Sequence, residues 1–178
     1  MPEWRHILLA LALAATPLCA APVERVTALT ENARVIDIRA EAACAQASLP
    51  AARCLPAGWL FAAEGGPIDF GALRWLLGTL GLDGSETVAI YPAEAPEALA
   101  SAALLYLAGQ SAVVVYAGTA ALEDSGETRS FSREAVFTAP MRLGALALTA
   151  TTPETPLMAR LTAYARGLTD TVAFGPAD

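Results

Sequence analysis

The chain has 178 residues, of which 55% are apolar, and its formal net charge is −7. This length fits one domain with room for an extension, and the apolar fraction is sufficient for a large core. All eleven basic residues are arginines, and 18 acidic residues outnumber them. This balance argues against a nucleic-acid partner, which would require a basic face.

The first twenty residues have the pattern of a secretory signal peptide. Residues 7–15 form an apolar core, and Pro17 ends this core shortly before Ala20. The core is much shorter than the about 20 apolar residues that a membrane-spanning helix needs. We therefore expect cleavage after Ala20, with Ala21 as the alternative, and a bacterial protein that is either periplasmic or secreted. An uncleaved segment that tethers the protein to the membrane stays open as a second interpretation.

Cleavage would remove His6, the only histidine, and Cys19, one of three cysteines. A chain without histidine has no histidine-based triad, no histidine general base and few routes to a zinc site, so we expect neither a metal nor another cofactor. In an oxidising compartment, the remaining pair of Cys44 and Cys54 indicates a disulfide. The alternatives are two buried thiols that never meet and a catalytic dithiol, although the pair does not have the C-x-x-C spacing of a redox site.

Strand and helix patterns alternate along the first two thirds of the chain. Short β-branched or apolar runs predict strands, and apolar stripes at helical spacing that end at glycine predict helices. Such alternation indicates an α/β fold with a mostly parallel sheet and helices on both faces. In chain order, the first predicted elements are a short helix or loop at 22–32, a strand at 34–38, a short helix at 39–46, an extended segment at 48–56 and a turn at 65–67. A helix from the N-cap Asp69 to Gly81 follows. The last three elements are a strand at 87–91, a helix at 98–108 that ends at Gly109, and a strand at 113–116.

Residues 123–178 are predicted to form an extension that packs on this core, because they are too few for a second copy of it. Residues 131–139 and 144–148 are candidates for two edge strands, and 149–156 is a linker rich in threonine and proline. A final helix follows, and its apolar stripe is predicted to face the core. The stripe consists of Leu157, Leu161, Tyr164 and Leu168.

Segments between residues 23 and 122 resemble the rhodanese-like family in their order and spacing. The family pattern is I-D-x-R, then G-H-I-P-G-A with a proline, an apolar strand that ends in the catalytic cysteine, a helix, a glycine, a strand and a glycine-rich turn. The resemblance implies a rhodanese-like three-layer fold with a mostly parallel central sheet over residues 21–122. The segments that carry it are Val35-Ile-Asp-Ile-Arg39, Ser48-Leu-Pro-Ala-Ala-Arg-Cys-Leu-Pro56 (with Ser48 in place of the family's histidine), Val88-Ala-Ile-Tyr-Pro92, Gly109 and Tyr116-Ala-Gly118.

The loop that follows the strand at 87–91 departs from the family pattern. The family's loop begins with the catalytic cysteine, whereas this loop reads Pro92, Ala93, Glu94, Ala95, Pro96 and Glu97. Proline offers neither a thiol nor an N–H. A carboxylate about 5 Å from a bound anion would oppose its binding by about 3 kcal/mol at an effective dielectric constant of about 20. The loop therefore lacks the nucleophile and the positive field that keeps a thiolate ionised.

This departure leaves two hypotheses about function. The first is a catalytically inactive rhodanese-like protein of the periplasm, which acts as a binding or accessory module for another periplasmic protein. The second is a sulfurtransferase, a sulfur carrier or a thiol–disulfide protein that uses Cys44 or Cys54. The resemblance places these cysteines at the end of the first helix and the start of the next strand, where they could be neighbours. It also implies that Cys44 is buried, because the family has an apolar core residue there.

Two pairs of charged residues have structural interpretations beside their chemical ones. The resemblance assigns Asp37 and Arg39 to the I-D-x-R pair, which is mostly structural in the family. Glu94 and Glu97 could form a carboxylate pair for acid–base chemistry. We favour a structural role for them, because negative charge near the start of a helix complements the helix dipole.

Overall fold

The structure is a computed structural model that describes residues 21–61 and 69–176. The predicted signal peptide at 1–20 and the predicted turn at 65–67 lie outside the described residues. The strands are β1 (Glu24–Val26), β2 (Arg34–Asp37), β3 (Arg53–Cys54), β4 (Thr87–Tyr91), β5 (Ala112–Tyr116), β6 (Leu146–Leu148) and β7 (Val172–Phe174). The helices are α1 (Glu41–Gln46), α2 (Phe70–Thr79), α3 (Ala98–Ala108) and α4 (Leu157–Ala165), with 3-10 turns at Ala57–Trp59 and Leu143–Ala145.

A five-stranded sheet forms the centre of the molecule, in the order β1-β5-β4-β2-β3. Every neighbouring pair in this sheet is parallel. The middle strand, β4, is an apolar run in which Val88, Ala89 and Ile90 have no exposed surface. Parallel strands need crossover connections, and α1, α2 and α3 occur in the segments that provide them. The predicted α/β fold with a mostly parallel sheet is confirmed.

The two faces of the sheet are covered differently. Successive residues of a strand point to opposite faces, so Ile36 and Ile90 belong to a large core shared with α2, α3 and α4. Their neighbours Val35 and Ala89 belong to a smaller cluster on the other face. There, the segment that follows α1 contributes Leu49 and further apolar residues. The sheet is thus the middle of three layers.

The predicted boundaries of α2 and α3 agree with the structure. Asp69 caps α2, because its carboxylate accepts hydrogen bonds from the N–H groups of Gly71 and Ala72 at 2.8 and 3.1 Å. The helix α3 is apolar on nearly every side because it lies between the sheet and α4. It ends at Gly109, whose φ of 122° strains any other residue. A Cβ at this position would also lie 2.7 Å from the carbonyl oxygen of Pro140.

The prediction of a short helix or loop at 22–32 is wrong for the part that forms β1. This strand pairs in parallel with β5, with Glu24 opposite Val114 and Val26 opposite Tyr116. Its side chains are exposed or half-buried, so it lacks the apolar alternation by which a strand is recognised in a sequence. Its position depends on the backbone hydrogen bonds that the edge of β5 offers.

The strands of the extension also differ from the prediction. Residues 131–139 contain no strand, and the segment 144–148 contributes only the short β6. This strand does not pair with the segment 131–139, as neighbouring edge strands would. It pairs in parallel with β7, which the sequence did not predict. Both strands have three residues, too few for a readable period of two.

The final helix, α4, packs its predicted stripe on the core except at the last position. Leu157, Leu161 and Tyr164 are buried in the same hydrophobic core as α3. Leu168 is 72% exposed, so the prediction that it faces the core is wrong. The helix ends at Ala165, and Gly167, with a φ of 68°, turns the chain away before Leu168.

Candidate functional site

The loop at 92–97 leaves the sheet at the edge where three strands end side by side. Tyr91 at the end of β4 lies opposite Asp37 of β2, which in turn lies opposite Cys54 of β3. In open α/β sheets, ligands bind beyond the carboxyl ends of the strands. The topology thus places the loop, the Asp37–Arg39 pair and the cysteine pair at neighbouring positions on the edge where a site is expected.

The backbone of the loop is largely committed to its own turns. The Tyr91–Pro92 peptide is cis, and the N–H of Ala95 donates to the carbonyl oxygen of Pro92 at 3.2 Å. The N–H of Ala98 donates to the Ala95 carbonyl oxygen at 3.0 Å. Because Pro92 and Pro96 have no N–H, at most three of the six loop residues have one left for a ligand. A cradle for an anion needs converging N–H groups, and this loop offers few.

The side chains of the loop give it a mixed surface. Ala93 is buried, whereas Glu94 is exposed and its carboxylate lies 3.5 Å from the guanidinium of Arg25. The two side chains are 74% and 53% exposed, so the pair contributes little to stability. Glu97 lies just before α3 but makes no side-chain capping hydrogen bond. Sequence reasoning missed Arg25, because it belongs to the unpredicted strand β1.

The Asp37–Arg39 pair forms a buried network beside the loop. The Asp37 carboxylate has no exposed surface and accepts hydrogen bonds from the Arg39 guanidinium at 2.6 Å and from the Ser48 hydroxyl at 2.6 Å. The guanidinium also donates to the carbonyl oxygen of Ala47 and lies 5.4 Å from the centre of the Tyr91 ring. Hydrogen bonding to Asp37 raises the pKa of Arg39 above its ordinary value. Both charges are thus occupied in holding the end of β2, which fits a structural role.

Cys44 and Cys54 form a disulfide, as predicted. Their Cα atoms lie 5.8 Å apart, and neither residue has exposed surface. A sulfur atom acts as a nucleophile only as an accessible thiolate. The structure therefore presents neither cysteine as a nucleophile.

A shallow cleft of about 340 Å³ lies elsewhere on the surface, lined by Trp59, Trp75, Leu76 and Arg129. The Arg129 guanidinium lies 5.1 Å from the centre of the Trp59 ring. This cation–π contact gives Arg129 a partner within the protein. The lining that the described residues contribute to this cleft is therefore mainly apolar.

Among residues 21–61 and 69–176, no three or more His, Cys, Asp or Glu side chains are grouped so that they could hold a metal ion. Within the same ranges, no helix has the length and apolar character needed to cross a membrane.

Comparisons with known proteins found likenesses in structure. No family model matches the sequence, and no curated protein matches it. The structure is similar to that of YnjE, with a TM-score of 0.54 and 16% identity over 66% of this chain and 31% of YnjE. It is similar to EanB, solved as a persulfide in a tetrahedral intermediate state with ergothioneine, with a TM-score of 0.51 and 20% identity over 68% of this chain and 35% of EanB. A third likeness is to SseA from Escherichia coli, a 3-mercaptopyruvate sulfotransferase with the "Rhodanese" fold. Its TM-score is lower, at 0.49, with 14% identity over 73% of this chain and 64% of SseA.

The likenesses to YnjE and EanB show the fold alone. The parallel central sheet agrees with the three-layer fold that the sequence resemblance implied. The chain spans about a third of the length of YnjE and EanB. Their activities are therefore properties of longer proteins.

Proposed function

We propose that this protein is an exported binding or accessory module built on a rhodanese-like fold, and that its loop at 92–97 does not transfer sulfur. Pro92 carries the proposal, because it stands directly after β4, where the family pattern has the catalytic cysteine. A proline there can neither hold a persulfide nor donate an N–H to a sulfur oxyanion. The proposed partner is another periplasmic protein.

The surroundings of Pro92 support the same proposal. Activation of a thiol requires nearby positive charge or converging N–H groups. The loop supplies Glu94 and Glu97, and the guanidinium of Arg39 is paired with the buried Asp37. Arg25 contacts the loop directly, but its guanidinium pairs with the Glu94 carboxylate. A sulfur atom introduced at position 92 would therefore have little to stabilise its thiolate.

The alternative is sulfur transfer or thiol–disulfide chemistry at Cys44 or Cys54. Both residues are buried and joined to each other, so neither offers a thiol to a donor. Their position on β3 and α1 also lies beside the loop rather than within it. These observations favour the accessory role.

An assay of sulfur transfer from thiosulfate to cyanide tests the proposal. We expect no turnover by the wild type and none by Pro92→Ser, which has a side chain of similar size to cysteine without sulfur. Pro92→Cys alone should also be inactive, because Glu94 and Glu97 raise the pKa of the new thiol. Activity should first emerge in the triple variant Pro92→Cys, Glu94→Gly and Glu97→Arg. In this variant, the acidic groups are gone and Arg25 no longer has its partner.

Two outcomes of this assay carry different conclusions. Substantial turnover by the wild type would contradict the proposal and direct attention to Cys44 or Cys54. Turnover by Pro92→Cys but not by Pro92→Ser would show that the backbone of the loop activates a thiol despite its carboxylates. The carboxylates of Glu94 and Glu97 would then not prevent activation of a thiol, whereas the inactivity of the natural loop would stand.

Export is tested by the mass of the protein recovered from the periplasm of an expressing bacterium. Cleavage after Ala20 predicts a chain that begins at Ala21, two cysteines joined in one disulfide, and no histidine. A full-length chain in the membrane fraction would instead favour an uncleaved tether. Recovery of the full-length chain in the cytoplasm would contradict export.

A further inference from the structure

A short segment of the extension, residues 124–127, lies across the disulfide; we refer to it as the strap. Four backbone hydrogen bonds hold it. The N–H of Ser48 donates to the carbonyl oxygen of Asp124 at 2.6 Å, and the N–H of Gly126 donates to that of Cys44 at 2.9 Å. The other two run from the N–H of Glu127 to the Ala52 carbonyl oxygen and from the N–H of Cys54 to the Glu127 carbonyl oxygen, both at 2.8 Å. The strap thus contacts both ends of the disulfide-bonded segment.

Gly126 is the point at which the strap touches the sulfur atoms. A Cβ built on Gly126 would lie 2.3 Å from the Sγ of Cys44 and 2.8 Å from the Sγ of Cys54. Gly126 is buried, and both cysteines have no exposed surface. The strap backbone therefore occupies the space beside the disulfide through which a reagent would have to approach.

Side chains hold the strap and the chain after it to the same strand. The Arg53 guanidinium, on β3, donates to the carboxylates of Glu127 at 2.9 Å and Glu134 at 2.7 Å. The Arg53 side chain is 13% exposed, whereas the side chains of Glu127 and Glu134 are 69% and 39% exposed, so these contacts orient the segment but contribute little to stability. The strap lies along the free edge of β3, which is the last strand of the central sheet.

We propose that the strap is a redox-linked cover: it seats fully only on the oxidised pair, protects the disulfide from dithiols, and is released from β3 when the disulfide is reduced. Two thiols cannot remain at bonding distance, so the sulfur atoms of Cys44 and Cys54 must move apart on reduction. Gly126 occupies the adjoining space and must give way. Because linkage is reciprocal, a seated strap favours the disulfide to the same extent that the disulfide favours the seated strap.

The chemistry is an exchange with an external dithiol. A thiolate of the dithiol attacks one sulfur of the pair, forms a mixed disulfide and releases the other cysteine as a thiolate. The second thiol of the reagent, once deprotonated, attacks the sulfur atom of the mixed disulfide that belongs to the reagent. It forms the cyclic disulfide of the reagent and releases the second cysteine. Two electrons pass to the protein, and its two thiolates take up protons according to their pKa.

Release of the strap has a defined structural consequence. It frees the backbone groups at the edge of β3 that the strap occupies, among them the N–H of Cys54 and the carbonyl oxygen of Ala52. It also loosens Ser48, whose N–H binds Asp124 and whose hydroxyl binds Asp37. The change therefore reaches the network beside the loop at 92–97.

The first test compares reduction by dithiothreitol of the wild type, Gly126→Ala and Gly144→Ala, followed by the mass of the alkylated protein. Gly144 lies in the same extension with nothing within 4 Å of an added Cβ, so its variant controls for the substitution itself. We expect Gly126→Ala to be reduced about tenfold faster or more, because the strap is lifted, and Gly144→Ala to match the wild type. Equal rates for all three proteins would overturn the cover.

The second test needs no substitution, so it holds even if Gly126→Ala does not fold. Backbone hydrogen exchange of the wild type is measured before and after reduction by dithiothreitol. We expect the N–H groups of Ser48, Cys54, Gly126 and Glu127 to exchange about tenfold faster or more after reduction, whereas those of β4 and β5 keep their protection. Unchanged protection of the four groups in the reduced protein would overturn the link between the strap and the redox state.

Discussion

Among the described residues of the central sheet, Asp37 is the one charged residue that is fully buried. Its carboxylate is fully buried and is satisfied by the N–H and guanidinium of Arg39 and by the hydroxyl of Ser48. A buried carboxylate is tolerated only when it is paired and hydrogen-bonded in this way. The network fixes the ends of β2 and of the segment after α1, because Arg39 also binds the carbonyl oxygen of Ala47.

The first prediction compares this buried pair with the exposed pair at the loop. Asp37→Asn should lower the free energy of unfolding by about 3 kcal/mol, because it leaves the Arg39 guanidinium without its counter-charge. Glu94→Gln, which breaks the exposed contact with Arg25, should change it by less than about 0.5 kcal/mol. Urea unfolding measures both values. Similar losses for the two variants would contradict the structural role assigned to Asp37.

At the scale of elements, α4 joins the extension to the core. It packs on α3 and buries Leu161 completely, whereas Leu168 lies beyond the helix in solvent. Leu161→Ala should therefore lower the free energy of unfolding by about 2–5 kcal/mol, and Leu168→Ala by less than about 0.5 kcal/mol. Both substitutions remove the same atoms, so urea unfolding isolates the effect of burial. A small loss at Leu161 would show that the extension is a loose appendage.

A residue of the same helix, Tyr164, should make the stability of the protein depend on pH in the alkaline range. Burial is the main cause that raises the pKa of the Tyr164 phenol, with a smaller contribution from Tyr106. The neutral phenol is favoured in the folded state, so its contribution to stability is complete below the ordinary pKa of about 10 and is lost as the pH rises through the higher folded-state value. Tyr164→Phe should therefore lose less stability than the wild type between about pH 8 and about pH 11. Equal losses in urea unfolding at the two pH values would contradict this assignment.

The elements that the sequence predicted well are those with strong local signals. Asp69 caps α2, Gly109 ends α3, and the apolar run of β4 is buried on both faces. The missed strands, β1 and β7, have three residues each, and their pairing depends on partners distant in sequence. Such strands form because of hydrogen bonds to distant segments, and a local sequence pattern does not predict these bonds.

The candidate site divides in the same way. The resemblance located the loop at 92–97 and the Asp37–Arg39 pair, and the number of cysteines pointed to the disulfide. The sequence did not predict the contact of Arg25 with Glu94 or the close approach of Gly126 to the two sulfur atoms. Both join residues about 70 or more positions apart through segments without a periodic pattern.

At the scale of the whole molecule, the extension contacts the central α/β unit at separate places. The strap lies on the free edge of β3, and α4 lies on α3. Cover of an edge strand prevents its backbone groups from pairing with another chain. The extension therefore covers the free edge of the central sheet and enlarges the core, and the proposed redox-linked cover uses the contact at this edge.

The most direct test of the central claim is whether the protein takes up sulfur. The wild type is incubated with thiosulfate, and its intact mass is measured without reductant. We predict an unchanged mass, because Pro92 offers no thiol and the two cysteines are buried in a disulfide. A gain of one sulfur atom, mapped to Cys44 or Cys54, would contradict the account and identify the protein as a sulfur carrier.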